Sequence, residues 1–200
     1  MAPTALADRP WPYISFRDLR NINFLGLLRR FLRRKPLGAL PAGVAAPQIT
    51  LKNLDGRVMS LGNALKKGPV LVAFFKYNCL TSQFTFPFLE RIYKMYGDSN
   101  FTLWGISQNH PADTREFIAK FGITFPILLD GEGFPVSNAY GLTNSPTLFL
   151  ISPDSKIRIS CVGFSKADLE AMAAEAAQAS ARPVAPLFRL EDNVPLIKPG

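Results

Sequence analysis

The sequence predicts an α/β protein: a central mixed β-sheet flanked by helices, with an extension at each end. Three observations predict it. Pro69–Lys76 (PVLVAFFK) is an unbroken apolar run of strand length, as expected of a strand buried on both faces. Strand-like and helix-like segments then alternate up to about residue 179, the pattern of a layered α/β domain. A chain of 200 residues with 48% apolar and 19% charged side chains can bury a sizeable core, which excludes global disorder.

The elements follow in order. Between Asp18 and Lys35, Leu19, Ile22, Phe24, Leu25, Leu27, Leu28, Phe31 and Leu32 recur at helical spacing. Arg29, Arg30, Arg33, Arg34 and Lys35 crowd the end of this stretch, where cations suit the helix dipole, and Pro36 stops it. Such a helix either docks its apolar face on protein, including a second subunit, or lies on an anionic lipid surface. Pro36–Pro47 reads as a linker. Ile49–Leu51 and Val58–Leu61 flank Asp55-Gly56, a hairpin turn signal. The buried strand at 69–76 leads into a helix running to Tyr96, with Phe84, Phe88, Leu89, Ile92 and Tyr93 as its apolar face and Pro87 inside it. Phe101–Ser107 reads as a strand. Pro111–Phe121 reads as a helix, with proline in its first turn and Gly122 past its end. Phe125–Leu129 is a strand, Phe134–Tyr140 a short helix, and Thr147–Ser152 and Ile157–Val162 are strands. Ser165, with Asp168 three residues on, caps a helix to about Ala179. Arg182–Gly200 has four prolines and no periodicity, so it reads as an extended tail on the surface. The predicted organisation is a basic extension over 1–42, a domain over 43–180 and a tail over 181–200.

Composition narrows the function. The net charge of +8 is concentrated at one end, because residues 1–47 hold eight Lys/Arg against two Asp/Glu. The main domain is nearly neutral, which argues against a nucleic-acid partner. Two cysteines and one histidine make neither a disulfide scaffold nor a zinc site, so no metal is expected. No apolar run is long enough to cross a membrane as a helix. The stretch Asn23–Leu28 is too short for a secretory signal and its positive charges follow it, and two cysteines agree with a reducing compartment, so the expected location is cytoplasmic.

The residue with chemistry is Cys79, which follows the buried strand and begins the next helix. A cysteine there meets unpaired backbone N–H groups and the positive end of the helix dipole, both of which favour a thiolate, the nucleophilic form. The plain alternative is a buried cysteine acting as a small hydrophobe. Downstream, Asn144-Ser145-Pro146-Thr147 stands just before a strand, a natural place for a cis X-Pro bond. Cys161 shares a strand face with Ile157 and Ile159 by the period of two and reads as a core residue. His110 reads as a loop residue and Trp104 as core, while Phe75 and Tyr77 are candidates to border the cysteine.

Over roughly Gly43–Ala179 the chain resembles the redoxin branch of the thioredoxin-like superfamily, which includes the AhpC/TSA peroxiredoxin-like proteins and the TlpA/ResA-like thiol–disulfide oxidoreductases. The resemblance is carried by Ala46-Pro47, Asp55-Gly56-Arg57, the strand into Cys79, Pro87, Gly105-Ile106-Ser107, Phe125–Asp130, Ala139–Leu142 and Ser145-Pro146-Thr147. It implies a thioredoxin-like fold, no cofactor, Cys79 as the attacking residue, and Ser145 and Pro146 as substrate-binding residues facing it. The family pair Cys-x-x-Cys is here Cys79-Leu80-Thr81-Ser82, so the second sulfur is missing. Ser82 can donate a hydrogen bond to a thiolate but cannot resolve a mixed disulfide. Lys76 stands where peroxiredoxins carry a threonine, and it is a candidate for electrostatic activation of Cys79. The implied activity is thiol–disulfide exchange through one cysteine, resolved by a glutathione-type thiol or a thiol-bearing partner protein. One-cysteine peroxide reduction and a catalytically degenerate binding module are the alternatives.

Overall fold

The computed structural model describes residues 38–97 and 100–200. The amphipathic segment at 18–35 lies outside the described residues. The first described hairpin pairs β1 (Thr50–Asn53) with β2 (Val58–Ser60). Asn53 shapes its turn, its side-chain oxygen accepting from the N–H groups of Asp55 and Arg57. Gly56 supplies the positive φ, 81°, that the turn requires. A five-residue helix, α1 (Leu61–Leu65), follows directly. It is too short to leave a helical period in the sequence.

Next come β3 (Val70–Phe75), α2 (Leu80–Tyr96), β4 (Thr102–Ser107) and α3 (Pro111–Phe121). The chain continues through β5 (Ile127–Leu129), α4 (Pro135–Ala139), β6 (Thr147–Ile151) and β7 (Ile157–Val162). It ends with β8 (Phe164–Ser165), α5 (Lys166–Ala179), a 3-10 turn at Leu190–Asp192 and β9 (Ile197–Lys198). Seven strands form a mixed sheet in the order β2-β1-β5-β4-β3-β6-β7, and β8 and β9 form a separate pair. This is the α/β architecture that the alternation of elements predicts.

Every residue of β3 is buried, as its unbroken apolar run requires. Leu71, Ala73 and Phe75 join a core with α2 and α5, whereas Val70, Val72 and Phe74 face α1 and Tyr140. Topology then places the site. β3 and β4 run parallel, while β6 is antiparallel to β3, with Thr147 opposite Phe74. The end of β3 and the start of β6 therefore share one edge of the sheet, and the turn after Phe75 meets the loop before Thr147.

Four expectations change. Residues 40–46, read as linker, are bonded to the body: Leu40 N–H donates to Tyr140 O, and Ala45 forms a bridge with Lys156. The tail likewise contains a strand, β9. Both depend on main-chain bonds that leave no side-chain pattern. Phe86, missed in the apolar face of α2, is fully buried, whereas Phe84 and Tyr93 are half-buried. Ile157 faces the opposite side of the sheet from Cys161, because the β6–β7 register shifts between Leu150 and Ile151. An irregularity of this kind breaks the period of two.

Candidate active site

The turn from β3 into α2 is fixed by its own backbone. Cys79 N–H donates to Lys76 O, and Gln83 N–H donates to Cys79 O. Tyr77 N–H donates to Asn109 Oδ1 at 2.7 Å, and Gln83 Nε2 donates to Tyr77 O at 3.0 Å. Cys79 is thus held as the N-cap of α2, half-buried, and its Sγ accepts from Ser82 N–H at 3.4 Å. The opposite loop presents Ser145, whose peptide bond to Pro146 is cis. Thr147 Oγ1, donating to Asn144 O at 2.9 Å, pins that loop to the start of β6.

The two segments meet at the sulfur. Cys79 Sγ donates to Ser145 O at 2.8 Å. Ser145 Oγ accepts from Lys76 N–H at 3.0 Å and lies 3.0 Å from Ser82 Oγ. Ser82 therefore reaches the sulfur through its backbone N–H, and its fully buried hydroxyl is spent on Ser145. The hydroxyl-to-thiolate bond expected from the sequence is replaced by this arrangement, since a helix-start N–H already points at the N-cap atom. Lys76 is exposed and ties to the site through its backbone; its ammonium makes no ion pair among the described residues. Cys79, Ser82, Ser145 and Lys76 thus form one hydrogen-bonded group, with Pro146 buried behind them.

The remaining candidates lie elsewhere. Cys161 is 2% exposed, its thiol donates to Gly163 O at 3.7 Å, and neither cysteine is in a disulfide. Burial first, then the charge of Asp168, pushes the Cys161 thiol up to about 12. Trp104 and Phe75 are core residues. His110 is the exposed N-cap residue of α3, with no side-chain cap bond. Tyr77 turns its hydroxyl to Glu116 at 2.6 Å, and that bond raises its pKa.

Sequence reasoning missed three neighbours of the site: Thr81, Asn144 and Gly163. Thr81 Oγ1 donates to Pro199 O at 2.7 Å, and Asn144 Nδ2 donates to Gly200 O at 3.0 Å. Gly163 N–H donates to Pro146 O, and a Cβ on Gly163 would lie 2.5 Å from Lys198 O. Thr81 and Asn144 bond the tail and Gly163 lets it approach, so nothing local in the sequence signals them.

A cysteine capping the first core helix, opposite an X-Pro loop that opens an antiparallel strand, defines a thioredoxin-like protein. Solved structures agree. The thioredoxin domain of a thiol-disulfide oxidoreductase from Bacteroides vulgatus is similar at TM-score 0.61 and 26% identity, covering 68% of this chain and 98% of that one. A thiol:disulfide interchange protein of the thioredoxin family from Chlorobium tepidum is similar at TM-score 0.57 and 25% identity, covering 70% and 97%. Residues 42–160 match the AhpC/TSA family, and the chain belongs to it. The thiol-disulfide oxidoreductase ResA of Geobacillus thermodenitrificans is 31% identical over 121 residues, 60% of this chain and 68% of the relative. ResA of Bacillus subtilis is 26% identical over 120 residues, 60% and 66%. These relatives set the chain in the redoxin branch, of thioredoxin-like thiol–disulfide oxidoreductase type.

The same relatives correct the cytoplasmic expectation. ResA proteins are membrane-anchored, extracytoplasmic oxidoreductases, which conflicts with a cytoplasmic location. The physical reason is that a low cysteine count speaks to structural disulfides, not to where an exchanging thiol works. Among the described residues, no helix is long and apolar enough to cross a membrane.

Proposed function

We propose that this protein exchanges thiols and disulfides through Cys79 alone. The Cys79 thiolate attacks one sulfur of a substrate disulfide, forming a mixed disulfide and releasing the other sulfur as a thiolate. An external thiolate, from glutathione or a thiol-bearing protein, then attacks the mixed disulfide. It leaves bonded to the substrate sulfur, and Cys79 returns as a thiolate. The external thiolate's electron pair makes the new S–S bond and the pair of the broken substrate bond leaves on the released thiolate, so one external thiol balances the exchange and no cofactor is required. Ser82 N–H steadies the sulfur, Ser145 and Pro146 present the partner's backbone to it, and Lys76 holds the Ser145 loop through its N–H.

The observation that carries this reading is the surroundings of the reactive sulfur. Serine stands at the second position of Cys79-x-x-Ser82, and Cys161 is buried and bonded to Gly163 O. The test is intact-mass spectrometry of the reduced chain after treatment with oxidised glutathione. One glutathione adduct on wild type and none on Cys79→Ser is expected; an adduct surviving in Cys79→Ser contradicts it.

The AhpC/TSA match favours a second reading, peroxide reduction. There the Cys79 thiolate attacks a peroxide oxygen, giving a sulfenic acid and an alcohol or water. Two external thiols restore it, ending as a disulfide with release of water. Peroxide loss no faster than in the Cys79→Ser control removes this option.

A further inference from the structure

The tail returns to the cysteine. From Arg182 onward the chain is tied down along α2: Leu187 is buried, and the Phe188 ring packs tilted against Phe88 with centroids 4.9 Å apart. Arg91 grips Asp192 through two bonds at 2.5 and 2.8 Å. The last five residues then cross the redox face. Ile197 and Lys198 pair with Ser165 and Phe164, and Leu196 O accepts from Lys166 N–H at 2.9 Å. Pro199 O and Gly200 O take the Thr81 and Asn144 side chains. A Cβ on Gly200 would lie 2.7 Å from Ser145 O, the atom that Cys79 Sγ bonds.

This contact is made mainly by backbone. Leu196 and Ile197 point their side chains to solvent, at 76% and 70% exposure, and Lys198 adds a cation–π contact with Phe84 at 5.5 Å. Three carbonyls of the tail are read by Lys166 N–H, Thr81 and Asn144. Main-chain recognition along a strand edge accepts many sequences, which is the logic of strand addition. Leu80, which follows Cys79 in the chain, is 73% exposed and offers an apolar contact to a partner.

We infer that residues 196–200 occupy, as a displaceable strand of the chain's own, the docking surface formed by Thr81, Asn144, Ser145 and the β8 edge, and close it to an extended strand of a thiol- or disulfide-bearing partner protein until that strand displaces them. This rests on the mixed-disulfide reading above and adds to it a regulation of the same site by the chain's own tail. Docking then requires an open tail. If the open form is about 10% of the population or less, release of the tail speeds peptide capture by about tenfold or more.

The test uses two disulfides of 5-thio-2-nitrobenzoate, one with a cysteine-containing pentapeptide and one with itself. In each, Cys79 sulfur bonds to one substrate sulfur, and coloured 5-thio-2-nitrobenzoate departs as the thiolate. The full chain is compared with two independent tail variants. Lys198→Pro removes an N–H from the β8–β9 ladder. Gly200→Val drives a branched side chain against Ser145 O. The expected result is that both variants release colour about tenfold faster from the peptide probe, with less than about twofold change on the small probe. Thr81→Val in the Gly200→Val background then slows the peptide probe alone. An equal gain on both probes means the tail merely shields the sulfur and overturns the docking surface, as does no gain on either. No colour from either probe with any chain overturns the mixed-disulfide reading itself, and the docking surface with it.

Discussion

At Cys79 the sulfur sits between an acceptor, Ser145 O at 2.8 Å, and a donor, Ser82 N–H at 3.4 Å. The first bond needs the proton on sulfur, whereas the second serves a thiolate. A reacting thiolate must therefore part from Ser145 O, which frees that carbonyl for a partner's N–H. If one sulfur does all the exchange, supplying a second should change the product. Ser82→Cys is expected to convert the stable glutathione adduct into an internal disulfide between Cys79 and the sulfur introduced three residues on. It would be seen as loss of the adduct mass with both thiols blocked. A persistent adduct would show that the introduced thiol cannot reach the Cys79 sulfur. Cys161 is the internal control. Burial raises its pKa to about 12, above the ordinary thiol range. At pH 8 the folded chain should therefore alkylate at Cys79 and spare Cys161, which reacts only in denaturant. Because the folded-state value is the raised one, the stability from neutral Cys161 is complete below ~8.5 and is lost as pH rises toward about 12.

Among the elements, α2 carries both the site and much of the core. Phe86 is fully buried against Phe75 and Phe117, at 4.4 and 5.1 Å between ring centroids. Phe86→Ala should cost ~3–5 kcal/mol in urea unfolding. The tail has its own switch. Arg91 first, then Arg189 N–H, holds the Asp192 carboxyl down to about 2. Since the folded value is the lowered one, this tie is complete above ~3.9 and lost as pH falls toward about 2. The Arg189 and Asp192 amide resonances should shift over that window while those of β3, which has no titratable side chain, hold still. Elements with a side-chain pattern or turn signals of their own were legible from sequence: β7 and α3 fall on their expected residues, and β3, an unbroken apolar run, within one residue at each end. Cys79 was legible because a strand end and a helix start bracket it. The 40–46 segment, β9 and the Thr81–Pro199 contact were not, because they are pairings between distant segments that run through main-chain atoms.

Over the whole molecule, the sheet order does the functional work. Placing antiparallel β6 beside β3 puts Ser145 against Cys79 across 66 residues of sequence. Family membership and the ResA relatives agree with thiol–disulfide oxidoreductase chemistry, and in the proposed mechanism the serine at position 82 leaves the mixed disulfide to a thiol from outside. The most direct measurement is peptide mapping of an acid-quenched reaction between the reduced chain and disulfide-bonded insulin. The account predicts Cys79 joined by a disulfide to an insulin cysteine, with Cys161 recovered as a free thiol. Insulin reduced while Cys79 stays free, or an adduct carried on Cys161, would contradict it.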